Sequence, residues 1–166
     1  LLKKGIYKGN YIENWIDEAL SNKLKFKNKK KVTFGDLIDP EEKGILLNNK
    51  KYKRRYKLHI IATDISRGKM LILPEDIAEY GIDPDKLQVS LAIRMSISIP
   101  YFFQPVKLNN INTNKKSLIV DGGVLSNYPV WLFDVNGIPR WPTIGFKLGG
   151  NKEIREHKIT KYFKFH

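Results

Sequence analysis

The stretch "SLIVDGGVLSNYPV", residues 117–130, is the feature around which the rest of the chain can be arranged. A short apolar run ends at an acid, Asp121, which is followed by Gly122 and Gly123. The pattern predicts a buried strand that ends in a turn, where the glycines permit positive φ and close approach of a backbone or a substrate. Functional residues of open α/β sheets gather at the carboxyl ends of strands. Asp121 is therefore either a functional carboxylate or a turn residue that makes a local hydrogen bond.

Further strands are predicted on both sides of this motif. "LHIIATDI" (58–65) and "KMLILP" (69–74) are typical of two strands, and "SRG" between them is typical of a turn. "TIGFKL" (143–148) predicts another strand after the motif. All of these segments are short, apolar and bounded by turn-forming residues, so they predict a sheet that is buried in the core.

Helices are predicted between the strands. "DPDKLQVSLAIRMSISIP" (83–100) predicts a helix with Pro84 in its first turn and Pro100 at its end. "TFGDLID" (33–39) predicts a short helix with Thr33 as its N-cap. Helices that alternate with short buried strands indicate an α/β fold, and 166 residues suit a single domain.

The segment "NYIENWIDEALSN" (10–22) predicts an amphipathic helix near the start of the chain. Asn10 and Glu13 have the spacing of a capping box. The charged tail "NKEIREHKITKYF" (151–163) is predicted to be partly helical. The predicted apolar stripe of the first helix comprises Tyr11, Ile12, Trp15, Ile16, Ala19 and Leu20.

Composition narrows the class of protein. The chain has no cysteine, which excludes a disulfide framework and a thiolate metal site and fits a reducing compartment. No apolar run approaches the roughly 18 residues of a membrane span. The opening "LLKKGIYKGN" lacks an initiator Met and a signal-peptide pattern, as expected of the inside of a longer protein. A cytoplasmic or peripheral-membrane location is favoured.

The chain carries a formal net charge of +13, concentrated in two basic runs. These are "KLKFKNKKK" (23–31) and "NNKKYKRRYK" (48–57). Such runs are typical of solvated loops, but they also attract anionic surfaces. In the second run, Tyr52 and Tyr56 have the placement needed to stack on bases of a nucleic acid. Acidic lipid headgroups are the other candidate partner.

The three histidines do not indicate a triad or a metal site. His59 lies in an apolar strand, His157 lies among charged residues and His166 is the last residue. No paired-His helix is present, and the acidic pair Glu41 and Glu42 is typical of a solvated turn. No metal and no cofactor are expected.

The segment "VDGGVLSNYPV" (120–130) resembles the catalytic aspartate motif of the patatin-like phospholipases, which are serine acyl hydrolases. Four other segments are similar to this family in the same order, from about residue 5 to residue 148. The resemblance implies a three-layer α/β fold with a mostly parallel central sheet. The four segments are "GIYKGNYIENWIDEAL" (5–20), "IIATDISRGKMLIL" (60–73), "LAIRMSISIPYFFQPV" (91–106) and "TIGFKL" (143–148).

The resemblance also implies a mechanism and a substrate class. A serine in a Gly-x-Ser-x-Gly turn attacks the carbonyl of a lipid ester, and Asp121 is the base of a Ser–Asp dyad. A serine hydroxyl is a poor nucleophile until a base accepts its proton. Gly122 and Gly123 complete the motif, while Ser96, Ser98 and Pro100 would line the pocket. The expected activity is phospholipase A-type hydrolysis, with a phospholipid or another acyl lipid as substrate, peripheral contact with a membrane, and nucleic acid disfavoured.

The sequence departs from the family in one decisive way. No Gly-x-Ser-x-Gly occurs in the 166 residues, and no glycine-rich oxyanion loop precedes the first helix. The expected explanation is an N-terminally truncated fragment, so that residues 1–166 form a single partial domain without the N-terminal strand and the nucleophile turn. We expect such a chain to be inactive alone. The alternative function is a non-catalytic basic domain that binds anionic lipid or nucleic acid.

Overall fold

A computed structural model describes residues 5–24, 31–38, 46–47, 50–51, 56–134 and 142–147. The predicted helical tail, His157, His166 and most of the two basic runs lie outside the described residues. The chain forms two compact units, Leu1–Pro129 and Val130–His166. That residues 1–166 form a single partial domain stays a prediction.

Eight strands occur in the described part, all of them in the first unit, and together with the helices they confirm the α/β class. In chain order they are β1 (Gly5–Tyr7), β2 (Leu46–Leu47), β3 (Lys50–Lys51), β4 (Ile60–Asp64), β5 (Lys69–Leu73), β6 (Tyr101–Phe103), β7 (Val106–Asn110) and β8 (Lys115–Asp121).

The largest described sheet has four strands in the order β5-β4-β8-β7 and is antiparallel throughout. The predicted hairpin is confirmed, with Ile60 opposite Leu73 and Asp64 opposite Lys69. Parallel pairing occurs between β1 and β6, while β2 and β3 form a separate antiparallel pair. Short turns join β4 to β5 and β7 to β8, and such connections permit only antiparallel neighbours. The three-layer arrangement and the mostly parallel central sheet are not confirmed by the described residues and stay predictions.

The prediction of a strand at "TIGFKL" is wrong for its described residues. Residues 143–147 have no regular secondary structure and are exposed. A strand requires a neighbour to pair its backbone groups, and none of the described strands pairs with this segment. Local residue preferences alone therefore do not make it a strand.

The described helices are α1 and α2, with several short 3₁₀ turns. The bounds are α1 (Asn10–Lys23) and α2 (Val89–Ser96), with 3₁₀ helices at Phe34–Leu37, Glu75–Tyr80, Pro84–Lys86, Gly122–Val124 and Val130–Phe133. The predicted cap at Thr33 is confirmed. Its hydroxyl and its N–H both donate to the carboxylate of Asp36, at 3.1 and 3.0 Å.

The predicted capping box at Asn10 is wrong, because α1 begins at Asn10 itself. The N-cap is Gly9, in the left-handed conformation with φ of 79°, and its carbonyl accepts from Glu13 N–H at 3.2 Å. Asn10 thus occupies the first helical position, and its side chain makes no capping bond.

The predicted continuous helix over 83–100 is also wrong. Leu87 and Gln88 are extended and separate the 3₁₀ helix Pro84–Lys86 from α2. The break has a physical cause. Leu87 O accepts from Phe34 N–H at 3.0 Å and Val89 N–H donates to Val32 O at 2.9 Å, so this backbone bonds to a distant segment. α2 then ends at Ser96, before Pro100.

The core of the first unit lies between α2 and the four-stranded sheet. Ile16 of α1 is buried, whereas Tyr11 and Trp15 of the predicted stripe are 82% and 61% exposed. None of the described helices is long and apolar enough to cross a membrane. The buried apolar cluster comprises Val32, Phe34, Tyr56, Ile60, Ala62, Leu71, Leu73, Ile77, Tyr80, Leu87, Val89, Ala92, Met95, Leu108 and Ile119.

Candidate active site

Asp121 is the last residue of β8, as predicted. It lies opposite Ala62 of β4, and its backbone N–H donates to the carbonyl of Ser98 at 3.1 Å. Its side chain caps the 3₁₀ turn Gly122–Val124, since Oδ1 accepts from Gly123 N–H at 2.7 Å. The local hydrogen bond expected of a turn residue is therefore present, and it fixes the orientation of the carboxylate.

One oxygen of this carboxylate is not used by the turn. Within the described residues, Asp121 Oδ2 accepts no hydrogen bond, and no basic side chain forms an ion pair with Asp121. The residue is half-buried at the end of the strand. A carboxylate with one oxygen anchored and the other free can accept a proton from a neighbouring hydroxyl.

The two glycines of the motif have different environments. Gly122 is buried, and a Cβ there would lie 2.8 Å from the carbonyl carbon of Ile61 and still closer to its oxygen. The carbonyl of Gly122 accepts from Thr63 Oγ1 at 3.5 Å. Gly123 is exposed, and a Cβ there would lie 3.0 Å from Asp121 Oδ1. Close approach of β4, rather than positive φ, is the reason that Gly122 cannot carry a side chain.

The three predicted pocket residues follow one another at and after the end of α2. Ser96 and Pro100 are half-buried. Ser98 is fully buried, and its hydroxyl donates to the carbonyl of Arg94 at 2.6 Å and accepts from the Arg94 guanidinium. The Ser98 hydroxyl is thus engaged within the fold. That these residues line a substrate pocket stays a prediction.

Arg94 is a residue that sequence reasoning missed. It lies within α2 and is only 3% exposed. Its Nη2 donates to the carbonyls of Lys8 and Gln104, at 2.6 and 2.8 Å. Its guanidinium carbon lies 5.3 Å from the centre of the Phe103 ring. An arginine within the apolar run "LAIRMSI" was the available signal, because a charged side chain is rarely buried unless it is fully paired.

Burial lowers the pKa of Arg94 below its ordinary value, while the charge of Glu13 acts in the opposite direction. An arginine guanidinium does not lose its proton in proteins, so Arg94 remains a cation. Arg94 also lines a cleft of about 260 Å³ at the start of α1. The cleft is lined by Lys8, Asn10, Glu13, Leu91, Arg94, Gln104, Pro105 and Val106.

His59 is engaged elsewhere. Its Nε2 lies 2.9 Å from Glu75 Oε1, in a half-buried pair. The described residues contain no group of three or more histidine or acidic side chains that would hold a metal ion.

Comparisons with known proteins place the chain in a family. The model of the family described as "Patatin-like phospholipase" matches residues 1–134. The "Uncharacterized protein YqhO" of Bacillus subtilis (strain 168) is 40% identical over 154 residues, which cover 93% of this chain and 44% of that relative. The chain thus spans less than half the length of the curated relative it matches. No solved structure matched. The chain belongs to the patatin-like phospholipase family.

Proposed function

We propose that this chain carries the general base of a lipid acyl hydrolase and that Asp121 is that base. The observation that carries the proposal is the position of the Asp121 carboxylate. It lies at the carboxyl end of β8, one oxygen is held by Gly123 N–H, and the other accepts no hydrogen bond among the described residues. The family match includes this motif.

The proposed reaction is acyl transfer through a serine. The serine hydroxyl attacks the ester carbonyl carbon while its proton passes to Asp121. Collapse of the tetrahedral intermediate breaks the ester C–O bond, and Asp121 returns the proton to the leaving alcohol. Water then attacks the acyl-serine while its proton passes to Asp121. The acyl–serine C–O bond breaks, Asp121 returns the proton to the serine oxygen, and the fatty acid is released. Backbone amides stabilise the oxyanion in reactions of this kind.

The nucleophile is proposed to come from outside these 166 residues. No serine in the sequence has glycines two residues to either side, as the strained nucleophile turn requires. Ser98, the buried serine whose backbone bonds to Asp121, has its hydroxyl engaged by Arg94. A segment preceding Leu1 is therefore the proposed source of the serine and of the oxyanion-hole amides.

This proposal predicts that residues 1–166 alone hydrolyse no ester, because Asp121 has no serine to activate. A longer form of the same protein that includes the preceding segment is expected to release fatty acid from phospholipid vesicles and to cleave short nitrophenyl esters. Both forms are assayed side by side at equal concentration. Lack of turnover by the longer form contradicts the proposed function. Turnover by residues 1–166 that is lost in Asp121→Ala would instead show an internal nucleophile.

We propose a lipid surface as the partner that presents the substrate. Tyr11 and Trp15 lie one helical turn apart on α1 and are largely exposed, and the chain carries a net charge of +13. Aromatic side chains insert at the headgroup level of bilayers, and basic groups are attracted to acidic lipids.

The membrane proposal predicts that Trp15→Ala weakens binding to vesicles several-fold. Sedimentation with anionic and zwitterionic vesicles measures this loss, and a gel-shift assay on DNA and RNA over a salt series runs beside it. Ile111→Ala is the control, because Ile111 is also exposed but lies in the turn between β7 and β8. Tight nucleic-acid binding at physiological salt without vesicle binding would favour the non-catalytic basic domain instead.

A further inference from the structure

We propose that Arg94 is a positioning residue for Asp121 and that it acts through Ser98. This inference rests on the proposed role of Asp121 as the base. Arg94 has no direct contact with the Asp121 carboxylate among the hydrogen bonds of the described residues. Its effect passes through one side-chain contact and one backbone hydrogen bond.

The first step is the position of the Arg94 guanidinium. Lys8 and Gln104 each lie one residue beyond the end of a strand, after β1 and β6 respectively. Because β1 and β6 are parallel, their carboxyl ends lie side by side, and Arg94 Nη2 donates to the carbonyls that follow both of them. One guanidinium thereby fixes two strand ends relative to α2.

The second step is the contact between Arg94 and Ser98. Nη1 of Arg94 donates to the Ser98 hydroxyl, which in turn donates to the Arg94 carbonyl at 2.6 Å. Ser98 N–H donates to Met95 O at 3.2 Å, so three hydrogen bonds fix the position of Ser98. Neither the hydroxyl nor the N–H of Ser98 is exposed to solvent, because the residue is fully buried.

The third step joins Ser98 to Asp121. β7 pairs with β8 only as far as Ile119, which lies opposite Val106. Two residues further along β8, the N–H of Asp121 donates to the carbonyl of Ser98 instead. Ser98 therefore provides the backbone contact at Asp121, where β8 ends and the 3₁₀ turn Gly122–Val124 begins.

The surroundings leave the guanidinium little freedom. A Cβ on Gly9 would lie within 2.6 Å of Arg94 Nη2, so the backbone of Gly9 packs directly on the planar group. Phe103 covers the guanidinium at 5.3 Å, and Phe103 in turn contacts the ring of Tyr7. Lysine cannot reproduce these contacts, because its single ammonium lacks the planar fork that reaches several acceptors at once.

The test uses amide hydrogen exchange in the chain of residues 1–166, which requires no nucleophile. We expect Ser98→Ala and Arg94→Lys to speed exchange at the amides of Asp121 and Gly123 by about tenfold, the change expected from losing one net hydrogen bond. The exchange rates of the variants are compared under conditions in which their free energies of unfolding, measured with urea, are equal. Ser98→Ala removes only a hydroxyl, so it keeps the test decisive if Arg94→Lys does not fold.

The control is Tyr80→Phe, which removes another buried hydroxyl, the one that donates to Asp64 Oδ2 at 2.8 Å. A residue with a merely structural role changes exchange at Asp121 only as far as it changes global stability, and this is the result expected for Tyr80→Phe. The proposal is overturned if exchange at Asp121 in Ser98→Ala is no faster than in Tyr80→Phe at matched stability.

Failure of this inference and failure of the proposed function are distinguishable. If exchange at Asp121 responds to Arg94 and Ser98 while the longer form hydrolyses esters without Asp121, the structural link stands and the base assignment fails. If Asp121 is required for turnover but its amide does not respond, the positioning role fails. In the longer form, Arg94→Lys is expected to lower kcat about tenfold with little change in KM.

Discussion

Gly122→Ala is expected to lower the free energy of unfolding by about 3 kcal/mol, the upper end of the usual cost of overpacking. Gly122 is buried, and its new methyl group would meet the backbone carbonyl of Ile61 in β4. That carbonyl belongs to the central hairpin, where Ile61 pairs with Ile72, so it cannot rotate away as a side chain would. Urea unfolding followed by circular dichroism measures the loss.

The neighbouring glycine provides the matched control. Gly123→Ala places a methyl group 3.0 Å from Asp121 Oδ1 and 3.5 Å from Asn127 Oδ1, and both atoms are ends of side chains. Replacing glycine also reduces the entropy of the unfolded chain, which by itself stabilises by about 0.4–1 kcal/mol. We therefore expect Gly123→Ala to change stability by less than about 1 kcal/mol. Equal losses in the two variants would show that close approach of β4 is not the constraint.

Features with local causes could be predicted from the sequence. The hairpin of β4 and β5 follows from two apolar runs on either side of "SRG", and the cap at Thr33 follows from a hydroxyl placed before a helical turn with Asp36 at the third position. The end of β8 at Asp121 follows from an apolar run stopped by an acid and two glycines. In each case the residues that decide the structure are neighbours in the chain.

Features with distant causes could not be predicted. The break at Leu87 and Gln88 depends on backbone bonds to Val32 and Phe34, and nothing in the local residues signals it. The antiparallel sheet arises because β8 pairs with both β4 and β7, an arrangement that strand patterns do not specify. "TIGFKL" shows the converse, since a good strand pattern has no pairing partner among the described residues.

The candidate site also contains features that the local sequence predicts and features that depend on distant contacts. The sequence pointed to Asp121 and its two glycines as candidate site residues, whereas Ser98 was predicted only to line a pocket. Arg94 donates to the carbonyl of Lys8, which lies 86 positions away in the chain. Asp121 bonds to Ser98 through backbone atoms, which are the same in every residue type, so the sequence does not indicate this contact. Contacts of this kind become visible only when α2, β6 and β8 are placed in space.

Asp121→Asn in the proposed longer form is expected to lower kcat by about 10² to 10⁴-fold, the range attributed to a general acid or base. The amide side chain keeps the size of the carboxylate, and its oxygen can still accept from Gly123 N–H, but it cannot take up a proton. KM should change little, because the proposed role of the carboxylate is to accept the serine proton and not to bind the lipid. Release of fatty acid from vesicles, measured under saturating substrate, gives kcat directly.

Asp83→Asn is the control that separates catalysis from capping. Asp83 also caps a 3₁₀ turn, and its Oδ1 accepts from the amide two residues on, Asp85 N–H, at 3.0 Å, just as Asp121 accepts from Gly123 N–H at 2.7 Å. The two substitutions therefore remove the same charge from the same local geometry. We expect similar small changes in unfolding free energy but full turnover in Asp83→Asn. If both variants keep their activity, Asp121 is a cap and the base lies elsewhere.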